Sequence, residues 1–233
     1  MKRKIGNWWL AGSKVITGAQ KGKWQEYYHL PKKDFDWQSF TRNKHSNFIG
    51  GINKYIRENC ESKRVLVDVG SSYGFVSIPL SYYFQQVYSF EMNEDNCNVF
   101  KLNASDRNNI KLFNNAVSNT VNSTIMYEHC KQYGLVSSIE KDPTRKEKFV
   151  AKQATTTTID EACKGKLVDC IKIDVEGHEY HVLNGAMDTI DNCSPLLVIE
   201  NIDPERKIAK VLEPLGYKIV TILGYNDVCL KRS

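Results

Sequence analysis

The run Val65-Leu66-Val67-Asp68-Val69-Gly70-Ser71-Ser72-Tyr73-Gly74 constrains this chain more than any other stretch: an apolar segment ends in Asp-x-Gly-x-x-x-Gly. A short apolar run closed by glycine reads as a buried strand entering a tight turn before a helix. Gly70 permits such a turn and a close backbone approach to a ligand, while Gly74 lets the start of the helix pack beside it. The spacing is not the G-x-G-x-x-G of dinucleotide-binding turns, and Asp68 sets a negative charge where a pyrophosphate would lie. A carboxylate in that place suits a cationic ligand.

Around this turn the apolar pattern alternates in period. Ser46 to Asn59 reads as a helix, Arg64 to Val69 as a strand, Tyr73 to Phe84 as a helix and Gln86 to Phe90 as a strand. Asn93 to Asn103 follows as a helix, Ile110 to Asn114 and Val168 to Asp174 as strands, Glu179 to Ile190 as one helix and Leu196 to Glu200 as a strand. Strand and helix in turn imply right-handed crossovers and a mostly parallel sheet covered on both faces, with ligands at its carboxyl edge. Ser123 to Glu128 and Phe149 to Thr158 read as extra strands around the polar loop Lys141 to Lys148, a candidate flap over the site. Lys218 to Leu223 and Asp227 to Lys231, joined by Gly-Tyr-Asn, read as an antiparallel hairpin at the sheet edge. The expected class is therefore α/β, with residues 46–233 as one domain.

Residues 1–45 are rich in aromatics and lysine without a clean period and read as an irregular N-terminal arm that packs on the core or offers a substrate or subunit surface. The 233 residues suffice for one core without disulfide or metal staples. The seven cysteines form no CxxC pair and read as reduced thiols, and the five histidines are too scattered for a zinc site. No apolar run reaches the length of a membrane span and the basic N-terminus is not a signal peptide, so the expected location is cytoplasmic. A net charge of +5 favours an anionic partner without requiring nucleic acid.

S-adenosylmethionine fits the cation-favouring turn, since it carries an amino group and a sulfonium but no phosphate. Glu91 ends the second strand 23 residues after Asp68 and is placed to grip both ribose hydroxyls. Ser71 and Met92 flank these two acids as cofactor contacts. Asn115 or the Ala116 backbone is placed for the adenine edge, where an amide supplies both donor and acceptor. At the next strand end, Lys172-Ile173-Asp174-Val175-Glu176-Gly177-His178-Glu179 gathers three acids and a histidine. So much charge at a sheet edge is costly unless it has a role. Asp174 is expected near donor and acceptor, with Lys172 on the same strand face as its counter-charge. His178 is a candidate base, its ordinary pKa of about 6.5 lying near working pH. Glu179, and in part Glu176, also fit the plain reading of acids at a helix N-terminus.

The run IKIDVEGHEYHVLNGAMDTI with Pro195-Leu196-Leu197-Val198-Ile199-Glu200 resembles the FkbM-type methyltransferase family, as do VLVDVGSSYGFVS, SFEMNEDNCNVFKLN, Thr158-Ile159-Asp160 and Leu215-Gly216-Tyr217. The resemblance spans about residues 60 to 220 and implies a class I methyltransferase fold with a Rossmann-like, seven-stranded sheet. It also implies O-methylation, often of a sugar or natural-product hydroxyl, and carries Asp68, Gly70, Gly74 and Glu91 to the cofactor and Asp174, Glu176 and His178 to the active edge. Ser71-Ser72 departs from the Ala-Asn more usual there, which bears on acceptor choice more than on cofactor binding.

Transfer from a sulfonium needs in-line alignment and removal of a proton. Asp174 with His178 as base would orient and deprotonate the acceptor, Glu200 would line the cleft, and Lys172 would steady the charge. No metal is assigned, although Asp174, Glu176 and Glu200 could bridge Mg²⁺. The expected partner is a small molecule or glycan, and the arm offers a route to an oligomer. Three rivals stay open: an RNA 2′-O-methyltransferase that uses the aromatic arm for stacking, a nicotinamide dehydrogenase that Asp68 opposes, and a silent binding subunit.

Overall fold

The computed structural model describes the backbone of residues 3–5, 8–15, 26–31, 45–129, 137–139, 149–200, 207–223 and 227–233. Strands β1 (Arg3–Ile5), β2 (Trp8–Val15) and β3 (Glu26–Pro31) form an antiparallel sheet, so the stretch read as irregular carries a meander. Its aromatic and charged residues mask the two-residue period that marks a half-buried strand. The side chains of residues 1–48 lie outside the described residues, as does the Lys141 to Lys148 flap.

The main domain begins with α1 (His45–Asn59), β4 (Val65–Val69), α2 (Ser77–Leu80), β5 (Gln86–Phe90), α3 (Glu94–Asn103) and β6 (Ile110–Phe113). A second sheet follows, built from β7 (Ala116–Val117), β8 (Ser123–His129), β9 (Ser137–Ser138) and β10 (Phe149–Thr157) in the order β7-β10-β8-β9. The chain returns through α4 (Ile159–Ala162), β11 (Val168–Ile173), α5 (Glu179–Asn184), α6 (Met187–Cys193), β12 (Leu196–Glu200) and α7 (Lys207–Leu212) to β13 (Tyr217–Leu223) and β14 (Asp227–Arg232). The seven-stranded sheet runs β13-β14-β12-β11-β4-β5-β6. The five strands from β12 to β6 are parallel, and the β13–β14 hairpin closes the edge in antiparallel pairing.

Alternation sorts each strand between two cores. Val65, Val67, Val69, Ile171, Ile173, Leu197 and Ile199 face one side with Val182, Leu183 and Ile190 of α5 and α6. Leu66, Cys170, Val198 and Cys229 face the other with Ile52 and Ile56 of α1. Asp68 and Lys172 continue the second face toward the carboxyl edge, where apolar packing gives way to charge.

Two helices are shorter than their sequence pattern. The Tyr73 to Phe84 helix is reduced to the single turn of α2, because Ser72 and Gly74 hold left-handed φ values of 49° and 92° that no α-helix continues through. The Glu179 to Ile190 helix breaks at Gly185-Ala186. A Cβ at Gly185 would lie 2.0 Å from the Ser118 carbonyl oxygen, so the backbone of the second sheet crosses there. The Asp160 carboxylate then restarts the helix as α6 by accepting from the Asp188 and Thr189 amides at 3.2 and 2.8 Å. Among the described residues no helix is long and apolar enough to cross a membrane.

Candidate functional site

The strand register sets the site. Asp68 pairs with Ser89 of β5 on one side and Lys172 of β11 on the other, and Lys172 pairs with Val198 of β12. Two residues further along each strand come Glu91, Gly70, Asp174 and Glu200, and Glu200 pairs with Asp227 of β14. One face of the carboxyl edge thus carries an acid at each end of a row, with a glycine turn between them.

At the Glu91 end the glycine turn folds over β5. The amides of Gly70 and Ser71 both donate to the Phe90 carbonyl at 3.0 Å. Glu91 accepts from the Ser72 amide at 2.9 Å and the Asn93 amide at 2.8 Å, which fixes its carboxylate under the turn. Burial pushes Glu91 up to about 7, although these amides and Asn96 pull the other way. Gly70, at φ 78°, is required by a contact within the protein: a Cβ there would lie 1.8 Å from the Asp174 carbonyl oxygen. This approach to the β11 turn is a requirement for glycine in addition to the one expected from a ligand, and it ties the two halves of the site together. Gly74 packs as expected, its missing Cβ leaving room for Ile78 and Phe100.

Among the described residues, four polar atoms around this turn are buried without a hydrogen-bond partner: Ser71 Oγ, Ser72 Oγ, Asn93 Nδ2 and Asp68 Oδ1. Buried polar groups are rarely left so, and a cluster of them beside Glu91 suits a ligand with several donors and acceptors. Asp68 itself is fully buried, bonded to Ser77 Oγ, which reaches on to Ser89 Oγ at 2.7 Å. Burial raises its pKa against the pull of Lys172 and Ser77. Met92 is half-buried, and its carbonyl and that of Glu91 accept from Asn114 Nδ2 at 3.0 Å. Asn115 donates to Thr155 Oγ1 of β10 at 2.7 Å, and Ala116 is buried at the start of β7.

At the other end Lys172, 3% exposed, places Nζ 2.8 Å from Asp174 Oδ2. Burial disfavours its charge, but Asp174, Asp68 and Asp227 outweigh that and raise its pKa. Burial likewise opposes ionisation of Asp174, and the Lys172 ammonium with hydrogen bonds from Lys172 and Glu200 overcomes it, so Asp174 titrates below its ordinary value. Glu200 moves the opposite way: burial, then the charge of Asp174 and that of Glu176, push it up to about 9. At neutral pH the pair therefore holds one proton, on Glu200, with the negative charge on Asp174. One oxygen from each of Asp174, Glu176 and Glu200 lies within 4.8 Å of the others, a spacing compatible with a divalent ion. Lys172 already supplies a cation to this group.

His178 is buried where α5 begins, its Nε2 2.9 Å from Ser118 Oγ and its ring stacked on His181 at 4.5 Å. Glu179, 3% exposed, accepts the Val175 and Gly177 amides at 3.2 and 3.1 Å, so its carboxylate caps the acid turn upstream of the helix. Sequence reasoning missed Asn93, Asn114, Ser138 and Asp227. Asp227, 2% exposed and pushed up to about 6 by burial, joins the acids through strand register, which no local motif reveals.

The family profile described as Methyltransferase FkbM domain matches residues 68–220, the interval that holds both ends of this row except Asp227. Among solved structures, a methyltransferase FkbM from Methylobacillus flagellatus shares 19% identity at TM-score 0.52, over 72% of this chain and 43% of that one. This chain thus spans less than half the length of that protein. A Streptococcus pneumoniae protein described as a candidate tRNA (m1A22) methyltransferase, in complex with S-adenosyl-L-methionine, shares 13% identity at TM-score 0.50, over 78% of this chain and 72% of that one. Both likenesses establish the class I methyltransferase fold. Comparison with curated protein sequences gives no match.

Proposed function

This chain belongs to the FkbM methyltransferase domain family, and from that premise we propose that it moves a methyl group from S-adenosylmethionine to a hydroxyl oxygen of a sugar, glycan or other small metabolite. The observation that carries the cofactor is the set of orphaned buried atoms, Ser71 Oγ, Ser72 Oγ and Asn93 Nδ2, grouped with Glu91 at the glycine turn. Glu91 would accept the ribose hydroxyls, and the two serines with Asn93 would meet the remaining polar groups of the cofactor. When bound, the cofactor supplies an activated methyl on sulfur.

The chain's own part is alignment and proton handling. The methyl acceptor would lie along the row toward Asp174 and Glu200, where the ionised Asp174 would accept a hydrogen bond from the acceptor hydroxyl, orient its oxygen and take its proton. Lys172 keeps Asp174 ionised at a buried edge and needs no change of state to do so. This moves the proton-accepting role from His178 to Asp174. His178, bound to Ser118, would position the second sheet against α5. A carboxylate with a neighbouring acid and an ammonium favours an oxygen acceptor, whose proton must leave.

The test is incubation of the purified chain with S-adenosylmethionine and panels of sugars, hydroxylated metabolites and capped RNA, read by mass spectrometry for a gain of one methyl group. A methylated sugar or metabolite, abolished by Asp174→Asn, supports the proposal. Methylation of RNA alone, or of none of the panel, contradicts the acceptor class.

A further inference from the structure

The turn after β11 is fastened from two sides. From within, Glu179 takes the Val175 and Gly177 amides. From the second sheet, Ser138 Oγ donates to the Glu176 carbonyl at 2.9 Å and lies 3.4 Å from the Val175 carbonyl. Between these attachments Glu176 stands at φ 56°, in the left-handed region that disfavours most side chains, and Gly177 follows at φ 107°. A strained residue persists only where its surroundings over-determine it. Here the strained conformation brings the Glu176 carboxylate within 4.8 Å of oxygens on Asp174 and Glu200.

We infer that Ser138 is a positioning residue: its hydroxyl, carried on a strand outside the main sheet, holds Glu176 left-handed and so fixes the Glu176 carboxylate beside Asp174 and Glu200. The relevance to catalysis rests on the reading of those acids as the acceptor side of a methyltransferase site. Ser138 is 6% exposed, so water competes little for the carbonyl it serves. The strand that bears it is anchored in turn. β9 pairs with β8, β8 runs antiparallel to β10 over seven residue pairs, and β10 joins β7 just after Asn115, whose side chain binds Thr155. The second sheet therefore grips the carboxyl edge twice, at Asn115 beyond β6 and at the acid turn beyond β11.

The test is a double-mutant cycle of Ser138→Ala and Glu176→Gly, read by hydrogen exchange at the Gly177 amide in the full chain. Loss of one net hydrogen bond should speed that exchange on the order of tenfold in Ser138→Ala. Ser138→Thr, which keeps the hydroxyl, should restore the wild-type rate. In the Glu176→Gly background no left-handed penalty remains to be held, so Ser138→Ala should change exchange by about threefold or less. A hydroxyl with a merely structural role would give the same factor in both backgrounds, and that result overturns the inference. So does an unchanged rate in Ser138→Ala. Should the alanine variant fail to fold, Ser138→Cys, a weaker donor, takes its place with the same two expectations. Binding of S-adenosylhomocysteine to the wild-type chain is measured separately. Its absence alongside a non-additive cycle would sink the proposed function while leaving the role of Ser138 in place.

Discussion

Replacing Glu200 by Gln should flatten the dependence of folding stability on pH. In the folded chain Glu200 is pushed up to about 9, whereas an unfolded glutamate titrates near about 4.3. Between those values the folded state keeps a proton that the unfolded state has lost, so stability falls as pH rises. A fully sequestered group would cost about 1.4 kcal/mol per pH unit. Glu200 keeps some contact with solvent, and the screening this allows draws its folded pKa downward and narrows the upper end of that window. From about pH 6 to about pH 8 the wild type should therefore lose about 2 kcal/mol that the Gln variant retains. Asp174 works in the other sense: its lowered pKa stabilises above the unfolded value and is lost only on acidification. It therefore adds no slope in this window. Glu91, near 7, adds the same slope to both proteins and cancels in the difference. Gln keeps the shape of Glu200 and can still donate to Asp174. Urea unfolding followed by circular dichroism at both pH values measures the effect. Parallel losses in the two proteins would refute the placement of the shared proton on Glu200.

Ser71→Ala should leave the melting temperature unchanged or slightly higher, because the hydroxyl has no protein partner, while S-adenosylhomocysteine affinity drops on the order of fivefold. Lower stability with full affinity would contradict the reading of that hydroxyl as a ligand contact. Gly70→Ala forces a Cβ against the Asp174 carbonyl and should cost more than about 2 kcal/mol in urea unfolding. A wild-type midpoint would show that the two turns are not coupled. Lys172→Met strands Asp68, Asp174 and Asp227 without their cation and should cost about 3–5 kcal/mol by the same assay. A change under about 1 kcal/mol would mean that the ammonium is not what balances these acids.

The fold was readable where period and punctuation agreed. The buried runs Val65 to Val69, Val168 to Ile173 and Leu196 to Glu200 gave the parallel strands, and the Gly-Tyr-Asn spacing gave the hairpin. Helix lengths were not readable, because Gly185 and Asp160 act across the fold: one accommodates the Ser118 carbonyl and the other caps α6 from 28 residues away. The acid turn, Glu91 and the Lys172–Asp174 pair were legible, since parity along one strand and position at a strand end are local properties. Asp227 and Ser138 were not, because each reaches the site through pairing with a distant strand or from a separate sheet. The glycine at position 70 was recognised as necessary, but its contact with the Asp174 backbone was not foreseen, because that carbonyl comes from the end of a strand about a hundred residues away.

The central claim is that the turn between Gly70 and Gly74, with Glu91 beneath it, holds S-adenosylmethionine. Isothermal titration of S-adenosylhomocysteine into the purified chain tests it most directly, with Glu91→Ala titrated in parallel. One site per chain in the wild type, weakened at least about tenfold in the variant, is the expected result. No heat of binding in the wild type, or equal affinity in both proteins, would contradict it.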